Sequence, residues 1–149
     1  MVGNAARLVL FSIFYAVSDV HAESHTLSIT NDCGYGAPYL WGPNGTLYSS
    51  GETSYTFNGP APGLYSYLQT GSCGANGEGC TVVNASLVNG DSCADIDTNL
   101  ATPSDVAVEF EFYNGCDAIG SHCTTLECPI EQPVCCSADN VDLAITFCG

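Results

Sequence analysis

Over the segment Asn140 to Gly149, Val141, Leu143, Ile145 and Phe147 alternate with Asp142, Ala144 and Thr146. A period of two marks a strand with one buried and one wet face. Near the start, Leu27, Ile29 and Asn31 alternate with Thr26, Ser28 and Thr30, and the run ends at Cys33 as the other ends at Cys148. The pattern predicts that the first and last strands lie side by side, tied by Cys33–Cys148. In the chain-entropy model, closing a loop on the order of 100 residues is worth roughly 4–5 kcal/mol. Nothing between the two strands is then an independent domain.

The intervening chain predicts further strands separated by turn signals. Gly34 to Gly51 is rich in Gly, Pro, Asn and Tyr; Tyr39 to Trp41 reads as a short strand with Pro43-Asn44-Gly45 as its turn. Gly59 to Gly63 reads as a second turn, and Leu64, Tyr65, Tyr67 and Leu68 as an aromatic strand running toward Cys73. Between Cys73 and Cys80 the loop is too glycine-rich for a helix or strand interior, which makes these two cysteines a local pair. Thr81 to Val88 predicts a strand, Asn89-Gly90-Asp91 a turn, and Cys93 to Asp97 a short return. Asp105 to Tyr113 is the cleanest strand, with Val106, Val108, Phe110 and Phe112 on one face and Ala107, Glu109, Glu111 and Tyr113 on the other. Cys116 to Cys136 reads as a loop region held by bridges rather than by a core. No segment carries a helical period. Many short strands with turns between them predict an all-β sandwich, without linker or internal repeat.

The N-terminus changes the picture. Arg7 precedes an apolar run from Leu8 to Val17, and Val20-His21-Ala22 ends in a small residue. This is the pattern of a secretory signal peptide over 1–22, cleaved after Ala22, leaving a domain at 23–149. The run is too short for a membrane span, which needs about 20 apolar residues. Cleavage removes Arg7, the single Lys or Arg, and Asp19, one of 16 acidic residues. The remaining chain is expected to be secreted, extracellular or cell-wall associated. Its charge excludes nucleic acid, which is bound chiefly through Lys and Arg, and leaves no membrane association after cleavage.

All 10 cysteines follow the cleavage site: Cys33, Cys73, Cys80, Cys93, Cys116, Cys123, Cys128, Cys135, Cys136 and Cys148. An even count in a secreted chain predicts a disulfide framework. A zinc site is not expected, since only His25 and His122 remain and no Cys-x2-Cys pair occurs.

With these landmarks placed, residues 25–149 resemble the thaumatin-like proteins, in a short acidic form most similar to the small secreted fungal members, sometimes called glycopeptides. The resemblance rests on Ile29-Thr30-Asn31-Asp32-Cys33, on Gly71-Ser72-Cys73 through Cys80, on Ala94 to Asp97 with the later strand into Tyr113-Asn114-Gly115-Cys116, and on Val141 to Cys148. It implies a flattened, disulfide-stapled β-sandwich with a short cysteine-rich loop region. It also implies that Cys116 pairs with Cys136 or Cys135, while Cys93, Cys123 and Cys128 stay unassigned. Larger members carry an acidic cleft for β-1,3-glucan, built from one Arg and several carboxylates. On this chain the Arg has no counterpart, the cleft Glu falls at Asn84, one cleft Asp at Asp95, and a second near Asn99 or Leu100. The resemblance therefore implies binding without turnover, with no catalytic residue.

Asp95/Asp97 and Glu109/Glu111 each sit two apart, about 6.5–7 Å along a strand. A glycosidase needs paired carboxylates, but a solvated acidic face gives the same pattern. Asp95 is the expected ligand-binding carboxylate, with Glu78, Glu109, Glu111 and Tyr113 as neighbours. Asn44 and Asn84 head Asn-x-Ser/Thr acceptor sequences for N-glycosylation. Tyr35, Tyr39, Trp41, Tyr48, Tyr55, Tyr65 and Tyr67 supply core aromatics and a surface strip able to stack on sugar rings. The expectation is a protein without catalysis or cofactor that associates with cell-wall polysaccharide, β-glucan, in wall remodelling, defence or host interaction. Two alternatives differ in class: a weak β-1,3-glucanase using Asp95, and a secreted effector or inhibitor binding a cationic protein partner.

Overall fold

In the computed structural model, residues 22–97, 106–125, 128 and 133–149 are described. Residues 1–21 of the expected leader, Asp105 and the second cleft position near Asn99 or Leu100 lie outside them. The strands are β1 (Ser24–Asn31), β2 (Ala37–Gly42), β3 (Thr46–Ser50), β4 (Thr53–Asn58), β5 (Ala61–Gln69), β6 (Val82–Leu87), β7 (Ser92–Asp97), β8 (Val108–Tyr113), β9 (Ile119–Cys123), β10 (Val134–Cys136) and β11 (Asp142–Phe147). They form a first sheet ordered β4-β1-β11-β8-β9 and a second ordered β10-β7-β6-β5-β2-β3. Among the described residues no helix is long and apolar enough to cross a membrane.

Alternation decides which side chains meet between the sheets. Leu27 and Ile29 of β1, Leu143, Ile145 and Phe147 of β11, and Val108, Phe110 and Phe112 of β8 are buried from the first sheet. Leu40, Leu64, Leu68, Val83, Ala85 and Leu87 meet them from the second. The terminal strands pair as expected: β1 and β11 run parallel, Leu27 opposite Leu143 and Ile29 opposite Ile145. The Cys33–Cys148 bridge closes them.

Three expectations need correction. Cys116–Cys136 is not all loop, because β9 extends the first sheet beside β8 and β10 extends the second beside β7. Their apolar periodicity is weak because both are edge strands; Ile119 is exposed, Cys123 and Cys136 alone are fully buried, and Val134 packs against the core half-buried. Gly59–Gly63 is not a simple turn, since β5 starts at Ala61 and a register shift between Ala61 and Leu64 absorbs Gly63. The stretch after Trp41 holds two more strands, β3 and β4, whose Tyr48, Tyr55 and Phe57 pack together at 4.8–5.0 Å over the rim of the core.

The remaining bridges are Cys73–Cys80, Cys93–Cys135, Cys116–Cys136 and Cys123–Cys128, with no free cysteine among the described residues. Cys93 and Cys135 face each other across β7 and β10, so that pairing follows from strand order. At one end of the sandwich a polar network replaces apolar packing. Buried His25 places Nδ1 2.6 Å from the Val141 carbonyl and Nε2 3.1 Å from Glu23 Oε1. The same carboxylate oxygen accepts the Asn89 N–H at 2.8 Å, and Asn89 Oδ1 accepts the Asn140 N–H at 2.6 Å. These bonds tie the start of β1 to the β6–β7 turn and to the entry of β11.

Candidate functional site

The inner face of the second sheet is aliphatic, so its outer face takes the alternate residues. Across β2, β5, β6 and β7 the register sets Trp41 opposite Tyr65, Tyr65 opposite Asn84, and Asn84 opposite Asp95. One step along, Tyr39, Tyr67, Val82 and Asp97 form a second row. Each row crosses three strand gaps, roughly 14 Å at the usual strand spacing. One end is aromatic and the other carries carboxylates.

The aromatic end is a connected set. Trp41 and Tyr65 have ring planes 9° from parallel with centroids 6.4 Å apart, and Tyr39 sits 6.2 Å from Trp41 and 5.8 Å from Tyr67. Trp41, Tyr39 and Tyr65 are half-buried, leaving part of each ring open to a ligand. The Trp41 indole N–H is turned toward the Tyr67 hydroxyl but falls short of hydrogen-bond geometry, and it has no acceptor among the described residues. At the polar end Asn84 Nδ2 donates to Asp95 Oδ2 at 3.4 Å.

The Cys73–Cys80 loop folds over the second row. Tyr67 donates its hydroxyl to the Ala75 carbonyl at 3.0 Å, and this cover leaves the side chain 1% exposed. Burial pushes the Tyr67 phenol above its ordinary value, more than the neighbouring Trp41 N–H lowers it. Glu78, expected beside Asp95, is held within this loop. Its carboxylate accepts the Asn76 backbone N–H at 2.9 Å and the Asn76 side-chain amide at 2.8 Å, and these bonds, the backbone one first, keep it below the usual carboxylate range. Asn76, rather than Glu78, reaches the rows. It borders a depression of about 320 Å³ with Tyr65, Val82, Asn84 and Asp97. A second depression of about 300 Å³ lies between Tyr65, Asn84, Ser86, Asp95 and Pro133.

Glu109, Glu111 and Tyr113 do not join this group. They lie on β8 in the first sheet, paired with β11 and β9, and point outward on the opposite side of the core. Glu109 faces Thr146 and His122, Glu111 faces Ala144 and Gly120, and the Tyr113 hydroxyl meets Ser28 Oγ at 3.2 Å. The neighbours expected for Asp95 therefore divide between the two outer faces. A residue pattern gives the face of a strand but not which sheet holds it. What sequence reasoning missed was the placement of Trp41 and Tyr65 in line with Asp95; the signal was there in Tyr39-x-Trp41 and Tyr65-x-Tyr67, two aromatic pairs at strand period. Asn44 is exposed in its turn at φ 59°, whereas Asn84 is half-buried within the row. Among the described residues no three His, Cys, Asp or Glu side chains are grouped to hold a metal ion.

Asp95 and Asp97 share one strand and one face. They stand side by side on an open surface and do not flank a bond from two directions, as the carboxylate pair of a glycosidase must. The arrangement can stack on rings and accept hydrogen bonds from hydroxyls or ammonium groups.

The sequence matches no family model and no curated protein. A solved structure of a thaumatin-like xylanase inhibitor is similar, with a TM-score of 0.57 and 22% identity over 83% of this chain and 99% of that one. Two sheets, five bridges and this likeness agree: the protein has a thaumatin-like fold.

Proposed function

We propose that the protein is a secreted, non-catalytic carbohydrate-binding member of the thaumatin-like group that associates with cell-wall polysaccharide, β-glucan in the first instance. The observation that carries this reading is the Trp41–Tyr65–Asn84–Asp95 row, in which half-buried rings lead to an amide and a carboxylate across one sheet face. Aromatic faces cover the apolar face of a sugar, and the polar end accepts its hydroxyl protons. Five bridges suit an oxidising, extracellular setting. The short acidic form and its resemblance to small fungal members support the same reading.

Retention on insoluble β-1,3-glucan tests it. The parent protein is expected to bind at both low and high salt without releasing reducing sugar, and Trp41→Ala to lose most of the binding. Reducing-sugar release abolished by Asp95→Ala would make the protein an enzyme instead. Absence of retention, together with salt-sensitive capture by a cationic protein, would turn the reading to a protein partner.

A further inference from the structure

We propose that the row prefers a β-linked amino-sugar polymer with free amines, its rings against Trp41 and Tyr65 and its ammonium groups against Asp95 and Asp97. This rests on the reading of the row as a sugar-binding surface and narrows the class of sugar.

Charge carries the step. After Arg7 the chain contains no Lys or Arg. Its two histidines beyond the leader lie elsewhere: His25 is buried against Val141 and Glu23, and His122 stands opposite Glu109 on the other sheet. No Lys or Arg of the domain is therefore present to neutralise the carboxylates at the ends of both rows. A neutral glucan would bring only hydroxyl dipoles to them. An ammonium brings a charge-assisted hydrogen bond to the carboxylates and a cation–π contact to any adjacent ring. The acidic surface also raises the local concentration of a polycation before it docks.

Shape favours a polymer of small repeating units. The depressions of about 300 and 320 Å³ share Tyr65 and Asn84 as a common wall. Asp95 lies in one and Asp97 in the other, so each sets its own carboxylate beside the shared ring and amide. Two like pockets side by side suit successive units of one chain.

Trp41 is the single tryptophan, so its emission reports on the row directly. The 23–149 protein would be titrated with a glucosamine oligomer, its fully N-acetylated equivalent and a neutral β-glucan oligomer of equal length. The free-amine oligomer is expected to shift Trp41 emission and to bind at least about tenfold more tightly than the acetylated one, reflecting its charge-assisted bonds. Asp95→Asn with Asp97→Asn should weaken it by about tenfold or more. Glu109→Gln with Glu111→Gln removes the same charge from the opposite face and should change binding by less than about twofold, because screening separates the two faces. If the first pair fails to fold, Asp97→Asn alone, at the exposed end of β7, serves in its place. Equal losses from both pairs, or equal competition by an oligolysine, would overturn the proposal as unspecific charge attraction. Equal binding of all three sugars would overturn the preference and leave the sugar-binding reading intact. Silence of Trp41 toward all three would overturn both.

Discussion

Gly77 lies against the ring of Tyr67: a Cβ on this glycine would stand 2.9 Å from Tyr67 Cδ1 and 2.9 Å from Val82 Cγ2. Its φ of +80° is also one that other residues rarely adopt. Gly77→Ala is therefore expected to lift the Cys73–Cys80 loop at a cost of about 1–3 kcal/mol, measured by chemical denaturation. Tyr67 should report the change. A phenol whose folded pKa is raised contributes stability that is present below the unfolded value of 10.0 and is lost as pH rises through the folded value. An absorbance titration of the parent should show a late-ionising tyrosine that Gly77→Ala brings back toward the ordinary range.

Glu23 provides the acid counterpart. The Asn89 backbone N–H first, and the His25 side chain second, hold its carboxyl below the ordinary value of 4.5. A depressed carboxyl contributes stability that is complete above the unfolded pKa and is lost as pH falls through the folded one. The melting temperature of the parent should thus fall more steeply from roughly pH 5 to pH 3 than that of Glu23→Gln. Parallel curves would show that the network contributes nothing through this carboxylate.

The two bridges with the most different loops separate cleanly. Cys33–Cys148 spans 115 positions and Cys73–Cys80 spans 7. In the chain-entropy model the long closure is worth about 2.5 kcal/mol more. Replacing Cys33 and Cys148 by Ser should lower the denaturation midpoint further than replacing Cys73 and Cys80.

Asp95→Ala removes the polar end of the first row and leaves Asn84 without its 3.4 Å partner. Hydrogen bonds to a charged group are worth about 1.5–3 kcal/mol, so glucan retention should weaken by about tenfold or more. Unchanged retention in a folded variant would move binding away from this end.

Cleavage after Ala22 would leave no Lys or Arg in the secreted protein. N-terminal sequencing should start at Glu23, and trypsin should produce no fragment. Any internal tryptic peptide would contradict the cleavage site.

The strands legible in the sequence are those whose inner face is apolar and central. Leu143, Ile145 and Phe147, or Val108, Phe110 and Phe112, alternate with polar residues because one side of each strand is fully buried. β4 escaped notice because Thr53, Tyr55 and Phe57 are only half-buried at a sheet edge, where selection for apolar side chains is weak. The cysteine excursion hid β9 and β10 because bridges there do part of the work of a core. Asp95 was legible through the resemblance, and the aromatics through their crowding between Tyr35 and Tyr67. Their alignment required the order of β2, β5, β6 and β7, which is a property of long-range pairing and not of any local pattern. The same ignorance of sheet membership placed Glu109 and Glu111 beside Asp95 when the core separates them.

Because β1 and β11 run parallel, Ser24 and Gly149 lie at opposite ends of the paired strands. Tension applied between the two ends of the domain would act along these strands, shearing them instead of unzipping them. It would travel up β1 to Cys33, cross the sulfurs and leave at Cys148. Pulling can strip β1 from its neighbours, but the polypeptide between the two cysteines feels no stretching force while that bond is intact. The whole second sheet lies within that closed segment, so a reductant, and not a stronger pull, is what would expose it to the force.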